Sequence, residues 1–322
     1  MRIVSLLPSA TEIVDLLGAG GKIVGRSHEC DHPPGLDAPV LTAQRTAFTE
    51  PAAVDAQVSA SLAAGESLYT LDVGRLAELA PDVILTQDLC DVCSIDLHTV
   101  RAAARTIAER TGNEPAVVSL NPETIEGVID DVLTVGRAIG RATQARDAAV
   151  TLRGRFHTAQ DYVNPYDEGP VVGFMEWTEP VFVAGHWSVQ MIERAGGRHP
   201  LSPTEPKPGT GLAVGPQQAE RVAGKSVRVS NEAFAESSPE LLVITPCGLS
   251  LDQTREAAER LRGQAWFDGL PAVRSGRVAL VDGNQHFNRP GPRLAEAFEF
   301  LVGFVQDRPE LIPGGFAWER LR

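Results

Sequence analysis

The most regular hydrophobic pattern of the chain lies between Pro122 and Tyr162, a stretch with no internal proline. Apolar side chains recur there at steps of three and four residues, which is the spacing of a helix with one buried face. Gly136 and Gly140 interrupt the pattern and therefore predict two consecutive helices. The second, from roughly Thr143 to Tyr162, would measure about 30 Å at 1.5 Å per residue. A helix of that length can bridge two lobes.

Short apolar stretches alternate with helical patterns on both sides of this span. Strands are predicted at residues 3–7, 23–25, 83–86 and 116–119 before it, and at 171–175, 181–184, 241–245 and 278–281 after it. A loop rich in proline and polar residues is expected after the second strand, up to a helix near Leu71 to Leu79. Strands that alternate with helices imply a parallel sheet covered on both faces.

The sequence thus predicts an α/β protein with two Rossmann-like lobes. Their parallel sheets would be joined by a long backbone helix, with a ligand cleft between the lobes. The expected boundaries are 1–140 for the N-terminal lobe, 141–165 for the connecting helix and 166–322 for the C-terminal lobe. A chain of 322 residues with 43% hydrophobic content is large enough for two such cores.

Composition narrows the classes of partner. The net charge of −13 argues against nucleic acid, because that binding depends on Lys and Arg neutralising phosphates. Apolar runs stop short of the ~20 residues of a membrane span, and the first strand begins almost at Met1 with no signal sequence before it. If Met1 is the native start, a cytoplasmic location without membrane insertion is expected.

Chemically versatile side chains follow the predicted strands. Ligands of open α/β sheets collect at the carboxyl ends of strands, so we take these residues as candidates for ligand binding. They are Ser9, Thr11, His28, Glu29, Asp31 and Gln87 in the first lobe, and Glu176, Trp177, His186, Trp187 and His286 in the second. Lobes whose strand ends face each other would bring these groups into one cleft.

Each candidate also has a purely structural interpretation. Ser9 and Glu12 match a capping box for the first helix, whose exposed N–H groups are equally suited to an anionic group. Trp177 and Trp187 suit either core packing or the face of a large planar ligand. His186 and His286 fit three roles: polar loop residues, hydrogen-bond donors, or axial ligands to a metal.

The four cysteines also lie in loops that follow strands. Cys90-X-X-Cys93 fits a redox pair or half of a metal site. Together with Cys30, Cys247 and His28, it leaves a soft-metal or iron–sulfur protein with a redox role open as an alternative function. Signatures of serine hydrolases, P-loop enzymes, zinc proteases and dinucleotide-binding enzymes are absent, so a non-catalytic binding function is favoured.

Three segments carry a family resemblance: residues 2–12 (RIVSLLPSATE), residues 81–84 (PDVI) and residues 182–197. Together they resemble the periplasmic binding proteins with a helical backbone (class III), which deliver vitamin B12, haem and iron-siderophores to ABC transporters. The resemblance covers nearly the whole chain. The His-Glu-Cys-Asp segment at 28–31, Cys90-X-X-Cys93 and the Gly-His-Trp segment at 185–187 are most similar to cobalamin-binding members, including cytoplasmic ones without a signal sequence.

The resemblance implies a corrinoid bound between the lobes. Ser9, the loop at 28–31 and Gln87 would face it from one side, and Trp177, His186, Trp187 and His286 from the other. Haem or an iron-siderophore remains an alternative ligand. Members that dock on a B12 permease carry a glutamate on each lobe; here Glu232 occupies one position and Gly74 the other. We therefore expect that this protein does not feed an ABC permease.

Overall fold

The structure is a computed structural model that describes residues 1–45, 50–64, 67–88, 95, 97–210 and 220–321. In the N-terminal lobe the elements are β1 (Ile3–Ser5), α1 (Pro8–Leu16), β2 (Ile23–Arg26), β3 (Thr42–Gln44), α2 (Pro51–Ala63), β4 (Tyr69–Leu71), α3 (Val73–Leu79), β5 (Val83–Thr86), α4 (Leu97–Thr111) and β6 (Ala116–Ser119). Four parallel strands form its main sheet in the order β2-β1-β5-β6, and β3 pairs with β4 in an antiparallel ribbon.

Helices cover both faces of the main N-terminal sheet, because its central strands are apolar at successive positions. Ile3 and Leu85 belong to the core that also contains α1, whereas Val4 and Ile84 belong to a second core with α3 and α4. Alternate residues of a strand point to opposite faces, so a continuous apolar run requires cover on both sides. The predicted parallel sheet of this lobe is confirmed.

The C-terminal lobe contains β7 (Val172–Thr178), β8 (Val181–Val183), α7 (His186–Arg194), β9 (Glu205–Pro206), β10 (Arg221–Val222), β11 (Val227–Arg228), α8 (Asn231–Glu236), β12 (Leu241–Ile244), α9 (Leu251–Leu261), α10 (Ala265–Asp268), α11 (Pro271–Arg274), β13 (Val278–Val281), α12 (Leu294–Val305) and β14 (Trp318–Arg320). Its six-stranded sheet has the order β11-β8-β7-β12-β13-β14. Only β7, β12 and β13 are parallel neighbours. The expectation of a parallel sheet was wrong at its edges, since the two-residue turn between β7 and β8 can join only antiparallel strands.

Two helices connect the lobes, α5 (Ile125–Ala138) and α6 (Ala142–Gln160), which confirms the predicted pair. Gly140 forms the turn between them with a φ of +69°. The helices pack so closely that a Cβ at Gly136 would collide with the methyl group of Ala145. On its other side α6 contacts α12, where Arg155 donates to both carboxylate oxygens of Glu299 at 2.8 and 2.6 Å. One hydrophobic core therefore continues from α1 through α5 and α6 to α12.

Two local predictions in the N-terminal lobe were wrong. Leu7 is the N-cap of α1 and no side chain caps this helix, because Pro8 starts it two residues earlier than the capping box requires. Ser9 and Glu12 are instead buried within its first turns. The long loop expected after β2 contains the helix α2, whose sequence PAAVDAQVSASLA lacks a distinct apolar side. Among the described residues, no helix has the length and apolar character needed to cross a membrane.

The contact between α5 and α6 makes a testable prediction about stability. Gly136→Ala should lower the free energy of unfolding by about 1–3 kcal/mol, because the added methyl group overpacks the helix interface. Gly154→Ala, an exposed position of α6 with open space around the new Cβ, should instead raise it by roughly 0.5–1 kcal/mol through helix propensity. Urea unfolding measures both; equal shifts of the two variants would contradict this packing.

Candidate functional site

The lobes touch directly where the loop after β2 meets the loop after β13. The Arg289 guanidinium lies 2.5 Å from Asp31 Oδ1, and its Nη2 donates to the carbonyl of Glu29 at 3.2 Å. Asn284 donates to the other oxygen of Asp31 at 3.0 Å. The carboxyl ends of strands from the two lobes thus face each other, as the sequence pattern requires. Both Asp31 and the Glu29 backbone are occupied by partners from the other lobe.

A second carboxylate, this one buried, lies next to the contact. Glu12 of α1 is almost fully buried, with Arg289 Nη1 3.5 Å and Arg293 Nη1 3.6 Å from its Oε1. Burial raises the pKa of Glu12 to about 7, although the two arginines act in the opposite direction. We call Glu12, Asp31, Arg289 and Arg293 the interlobe ion cluster.

Sequence reasoning missed three of the four members of this cluster: Glu12, Arg289 and Arg293. The available signal is the segment RPGPR at 289–293, where two arginines flank a proline–glycine turn just before the apolar helix α12. Charged side chains are rarely buried unless they are paired, so such a segment next to a core helix predicts carboxylate partners. Its partner Glu12 is 277 residues away in sequence from Arg289.

His286 supports the cluster from the C-terminal lobe. Its ring stacks on Phe316 with a centroid distance of 4.3 Å, and Arg293 Nη2 lies 3.1 Å from its Nε2. Its Nδ1 is 3.8 Å from Glu296. Burial, assisted by the positive charges of Arg293 and Arg289, lowers the pKa of His286 to about 3, so the imidazole is neutral. The structure therefore places this ring inside the C-terminal lobe with Nε2 occupied.

Trp177 makes a separate contact between the lobes at the end of β7. Its indole Nε1 donates to the carbonyl of Pro51, the first residue of α2, at 3.1 Å and to that of Glu179 at 3.2 Å. Close by, Arg260 of α9 pairs with Glu50 at 2.9 Å. The helix α2 of the N-terminal lobe is thereby attached to the C-terminal lobe.

His186 and Trp187 form an aromatic pair at the start of α7. Their ring centroids are 5.7 Å apart with an interplanar angle of 20°, and Trp187 is held by a hydrogen bond from Nε1 to the carbonyl of Phe287 at 2.8 Å. His186 has a φ of +46°, a strained conformation for a residue with a side chain, of the kind that clusters at ligand-binding sites. Burial lowers the pKa of His186, so its ring is neutral.

Glu176 fixes the turn that carries His186. Its Oε1 accepts a hydrogen bond from the backbone N–H of Gly185 at 3.2 Å. Burial raises the pKa of Glu176 to about 7, while hydrogen bonds from Gly185, Ser226 and Ser188 act against this shift. Of the predicted group, Glu176, His186 and Trp187 therefore lie together, whereas the Trp177 ring lies against α2. Trp187 is mostly core, with only 8% of its surface exposed.

His28 is oriented by a hydrogen-bond chain in the N-terminal lobe. Its Nδ1 lies 2.7 Å from Thr42 Oγ1, which also accepts the His28 backbone N–H and donates to Ser27 Oγ. The Nε2 atom is buried without a hydrogen-bond partner in the described part of the chain. Burial lowers the pKa of His28, which leaves the ring neutral. Gln87, directly after β5, is buried as well.

The cysteine candidates are only partly described. Cys30 is buried and accepts a hydrogen bond from Thr11 Oγ1 at 3.1 Å, and burial raises the pKa of its thiol to about 11. Cys247 is exposed, and Cys90 and Cys93 lie outside the described residues. Within the described ranges no three His, Cys, Asp or Glu side chains are placed to hold a metal ion. A site that includes Cys90 and Cys93 stays a prediction.

Two α/β lobes on a helical backbone, with polar and aromatic groups at the facing strand ends, define a two-lobed solute-binding protein. A family model described as "Periplasmic binding protein" matches residues 3–284, and the chain belongs to that family of non-catalytic, ligand-binding proteins. No curated protein matches the chain.

Solved structures of similar fold cover nearly the whole chain. A possible iron-binding (periplasmic solute-binding) protein from Staphylococcus epidermidis is 21% identical, with 94% of this chain and 98% of that chain covered and a TM-score of 0.65. The periplasmic haem-binding protein RhuT from Roseiflexus is 20% identical (95% and 98% covered, TM-score 0.63). The periplasmic vitamin B12 binding protein BtuF of Vibrio cholerae is 18% identical (96% and 98% covered, TM-score 0.61). These likenesses show the fold.

The interlobe ion cluster can be tested through stability. Arg289→Met should lower the free energy of unfolding by about 3 kcal/mol, because it removes the cation closest to Asp31 and leaves the buried Glu12 with fewer partners. Arg255→Met removes ion pairs that are more exposed to solvent, those with Glu319 and Asp252, and should cost much less than Arg289→Met. Similar losses in chemical denaturation of the two variants would show that the interlobe pairs contribute no more than surface pairs.

His286 generates a prediction about pH. Its pKa is about 3 in the folded chain and near 6.5 when unfolded, so the unfolded state takes up the proton first as pH falls. The stability contributed by the neutral ring is complete above pH 6.5 and is lost towards pH 3, at up to about 1.4 kcal/mol per pH unit. His286→Asn, a residue that tolerates the φ of +45°, should flatten this loss between pH 6 and 4.

The matched control for this experiment is His157→Asn on the exposed side of α6. Unfolding curves collected from pH 7 to 4 for the wild type, His286→Asn and His157→Asn measure how the stability of each protein depends on pH. The account predicts that the control keeps the acid dependence of the wild type. Parallel curves for wild type and His286→Asn would contradict the assignment.

Proposed function

We propose that this protein binds a corrinoid such as cobalamin, non-covalently, in the cleft between its two lobes. The observation that carries the proposal is the charge state of the interlobe surface. The buried Arg289 and the partly buried Arg293 each lie within ion-pair distance of carboxylates of the other lobe or their own. A corrin ring carries neutral amide side chains, whereas haem carries two propionates that are normally matched by free cations.

Other groups around the cleft fit the same neutral ligand. Arg26 donates from Nε to the backbone carbonyl of Ala38 at 3.1 Å and from Nη1 to that of Cys30 at 2.9 Å, so these two nitrogens are engaged within its own lobe. The exposed Lys225 lies near His186, but Glu123 acts on the same ring with opposite charge. His28 and His186 are neutral hydrogen-bonding groups. This surface offers polar atoms and aromatic faces with little net positive charge, which favours a macrocycle bordered by amides.

Aromatic side chains supply the flat surfaces that such a ring needs. Trp177 is fixed by two backbone carbonyls, and the stacked pair of His186 and Trp187 is fixed by Phe287. Ligand pockets with a few oriented polar groups on preformed apolar walls bind without large reorganisation. The resemblance of residues 28–31 and 185–187 to cobalamin-binding members adds independent support for this ligand over haem or an iron-siderophore.

Whether this protein delivers its ligand to an ABC permease is a separate part of the proposal. One protein of similar fold is an ABC transporter substrate-binding protein from Listeria monocytogenes, which is 16% identical to this chain. Glu232 is exposed on α8, and Gly74 is exposed at the equivalent place on α3. We infer that the chain lacks a symmetric pair of acidic docking residues and keeps its ligand in the cytoplasm.

Ligand binding can be measured by absorption spectroscopy and calorimetry with hydroxocobalamin and, separately, with haemin. The proposal predicts that hydroxocobalamin stays with the protein through desalting and binds at least tenfold more tightly than haemin. Trp177→Ala should weaken corrinoid binding by about tenfold through loss of the aromatic face, the size of a typical aromatic contact. Tyr166→Ala, which removes an aromatic ring that is 94% exposed in the loop after α6, should leave binding unchanged.

Preference for haemin would replace the proposed ligand by haem. Retention of neither ligand would contradict the proposal for both classes. Stoichiometric zinc, or iron with a native charge-transfer band, that is lost in the double variant Cys90→Ser and Cys93→Ser would favour the metal or iron–sulfur protein instead.

A further inference from the structure

A cavity of about 710 Å³ lies beside the proposed corrinoid cleft, between α2 and the C-terminal lobe. The N-terminal lobe contributes Asp55, and the other walls come from the β7–β8 turn, the segment after β11 and the end of α9 with α10. Its volume falls within the range of pockets that bind small molecules. The candidate cleft residue Trp177 is adjacent in sequence to the lining residue Thr178, and its ring hydrogen-bonds to the carbonyls of Pro51 and Glu179, the second of which lines the cavity.

The walls of this cavity carry polar groups without partners. Thr178 is 1% exposed, and its Oγ1 is buried with no hydrogen-bond partner in the part of the chain that the structure describes. Arg228 forms no ion pair with the described residues, and the same holds for the carboxylates of Asp55 and Glu179. The Thr178 hydroxyl is itself enclosed, so the polar groups that line the cavity and can meet an occupant are the Arg228 guanidinium and the carboxylates of Asp55 and Glu179.

One wall of the cavity is an oriented aromatic ring. The indole Nε1 of Trp266 donates to Gln264 Oε1 at 2.7 Å. Phe234 and Phe267 contact the ring edge-to-face at centroid distances of 6.3 and 5.7 Å. These contacts fix the plane of a half-buried tryptophan, which then offers a rigid surface for stacking of a planar base.

This combination of side chains suits a nucleotide-like ligand group. A guanidinium matches a phosphate diester, carboxylates accept hydrogen bonds from ribose hydroxyls, and an indole stacks on a planar base. We propose that this cavity binds such a group, with Arg228 at the phosphate, Asp55 or Glu179 at the ribose and Trp266 at the base. The nucleotide-like group is the nucleotide arm of a cobalamin whose corrin ring lies in the neighbouring cleft. This assignment rests on the proposed function.

This arrangement gives α2 a role in specificity. A corrinoid with its arm in the cavity would contact both lobes a second time, across the attachment of α2 to Trp177 and Arg260. A corrinoid without the arm would occupy only the central cleft. The protein should therefore distinguish complete cobalamins from their precursors that lack the nucleotide.

The test compares hydroxocobalamin with cobinamide, which has the same corrin ring but no nucleotide arm, by calorimetry on the full chain. Wild-type protein should bind hydroxocobalamin about tenfold or more tightly than cobinamide, because a charge-assisted phosphate contact changes affinity by at least that factor. Arg228→Gln should remove most of this preference and leave cobinamide affinity unchanged. Arg274→Gln, an exposed arginine of the same lobe outside the cavity, should alter neither.

Equal affinity for both corrinoids in the wild type, or a preference that Arg228→Gln leaves intact, would overturn the inference while the proposed function stands. If neither corrinoid binds, the proposed function fails, and adenosine monophosphate then tests the cavity as a site for a free nucleotide. Binding of this probe that Arg228→Gln abolishes would support the cavity with a different source of the nucleotide. Absence of binding by all three compounds would overturn the inference as well.

Discussion

The relation between the two lobes depends on a group of charges at their seam, of which Glu12 and Arg289 are buried. Glu12 and Asp31 come from the N-terminal lobe, and Arg289 and Arg293 from the C-terminal lobe. Isolated charges in a protein interior are costly, so each lobe provides the partners that make burial of the other's charges possible. The cluster brings the loops after β2 and β13 into contact and places the facing strand ends at a fixed distance.

The helical connection provides the second constraint. A continuous core from α1 through α5 and α6 to α12 leaves little freedom at the base of the lobes, and the close approach of α5 and α6 at Gly136 allows no added side chain. Fixed at the base by this core and across the seam by the ion cluster, the cleft walls are largely preformed. Preformed walls reduce the entropy that ligand binding must overcome, which suits a rigid macrocycle.

Periodicity was sufficient to predict the main architecture. The repeat of apolar residues from 122 to 162 identified the connecting helices, and the short apolar stretches identified the strands of both lobes. Local signatures failed where distant contacts decide the outcome. Ser9 and Glu12 have the spacing of a capping box, yet Glu12 pairs with arginines more than 270 residues away. The helix α2 was missed because its alanine-rich sequence has no apolar side, and its attachment to Trp177 and Arg260 comes from the other lobe.

The candidate site also has a part that the sequence predicts and a part that depends on distant contacts. Its position at the carboxyl ends of the strands follows from the fold class, and His28, Asp31, Glu176, Trp177 and His186 are all found there. Whether each group is free to contact a ligand depends on its surroundings and could not be predicted from the sequence. His286 is enclosed by its own lobe, and Asp31 is paired with Arg289.

The central claim is that a corrinoid lies between the lobes, and the position of its cobalt tests that claim most directly. Crystals grown with hydroxocobalamin and measured at the cobalt absorption edge would locate the metal by anomalous scattering. The account predicts one cobalt peak between the loop at 28–31 and the pair His186–Trp187. A peak on the outer surface of either lobe, or none in crystals that retain the corrinoid colour, would contradict it.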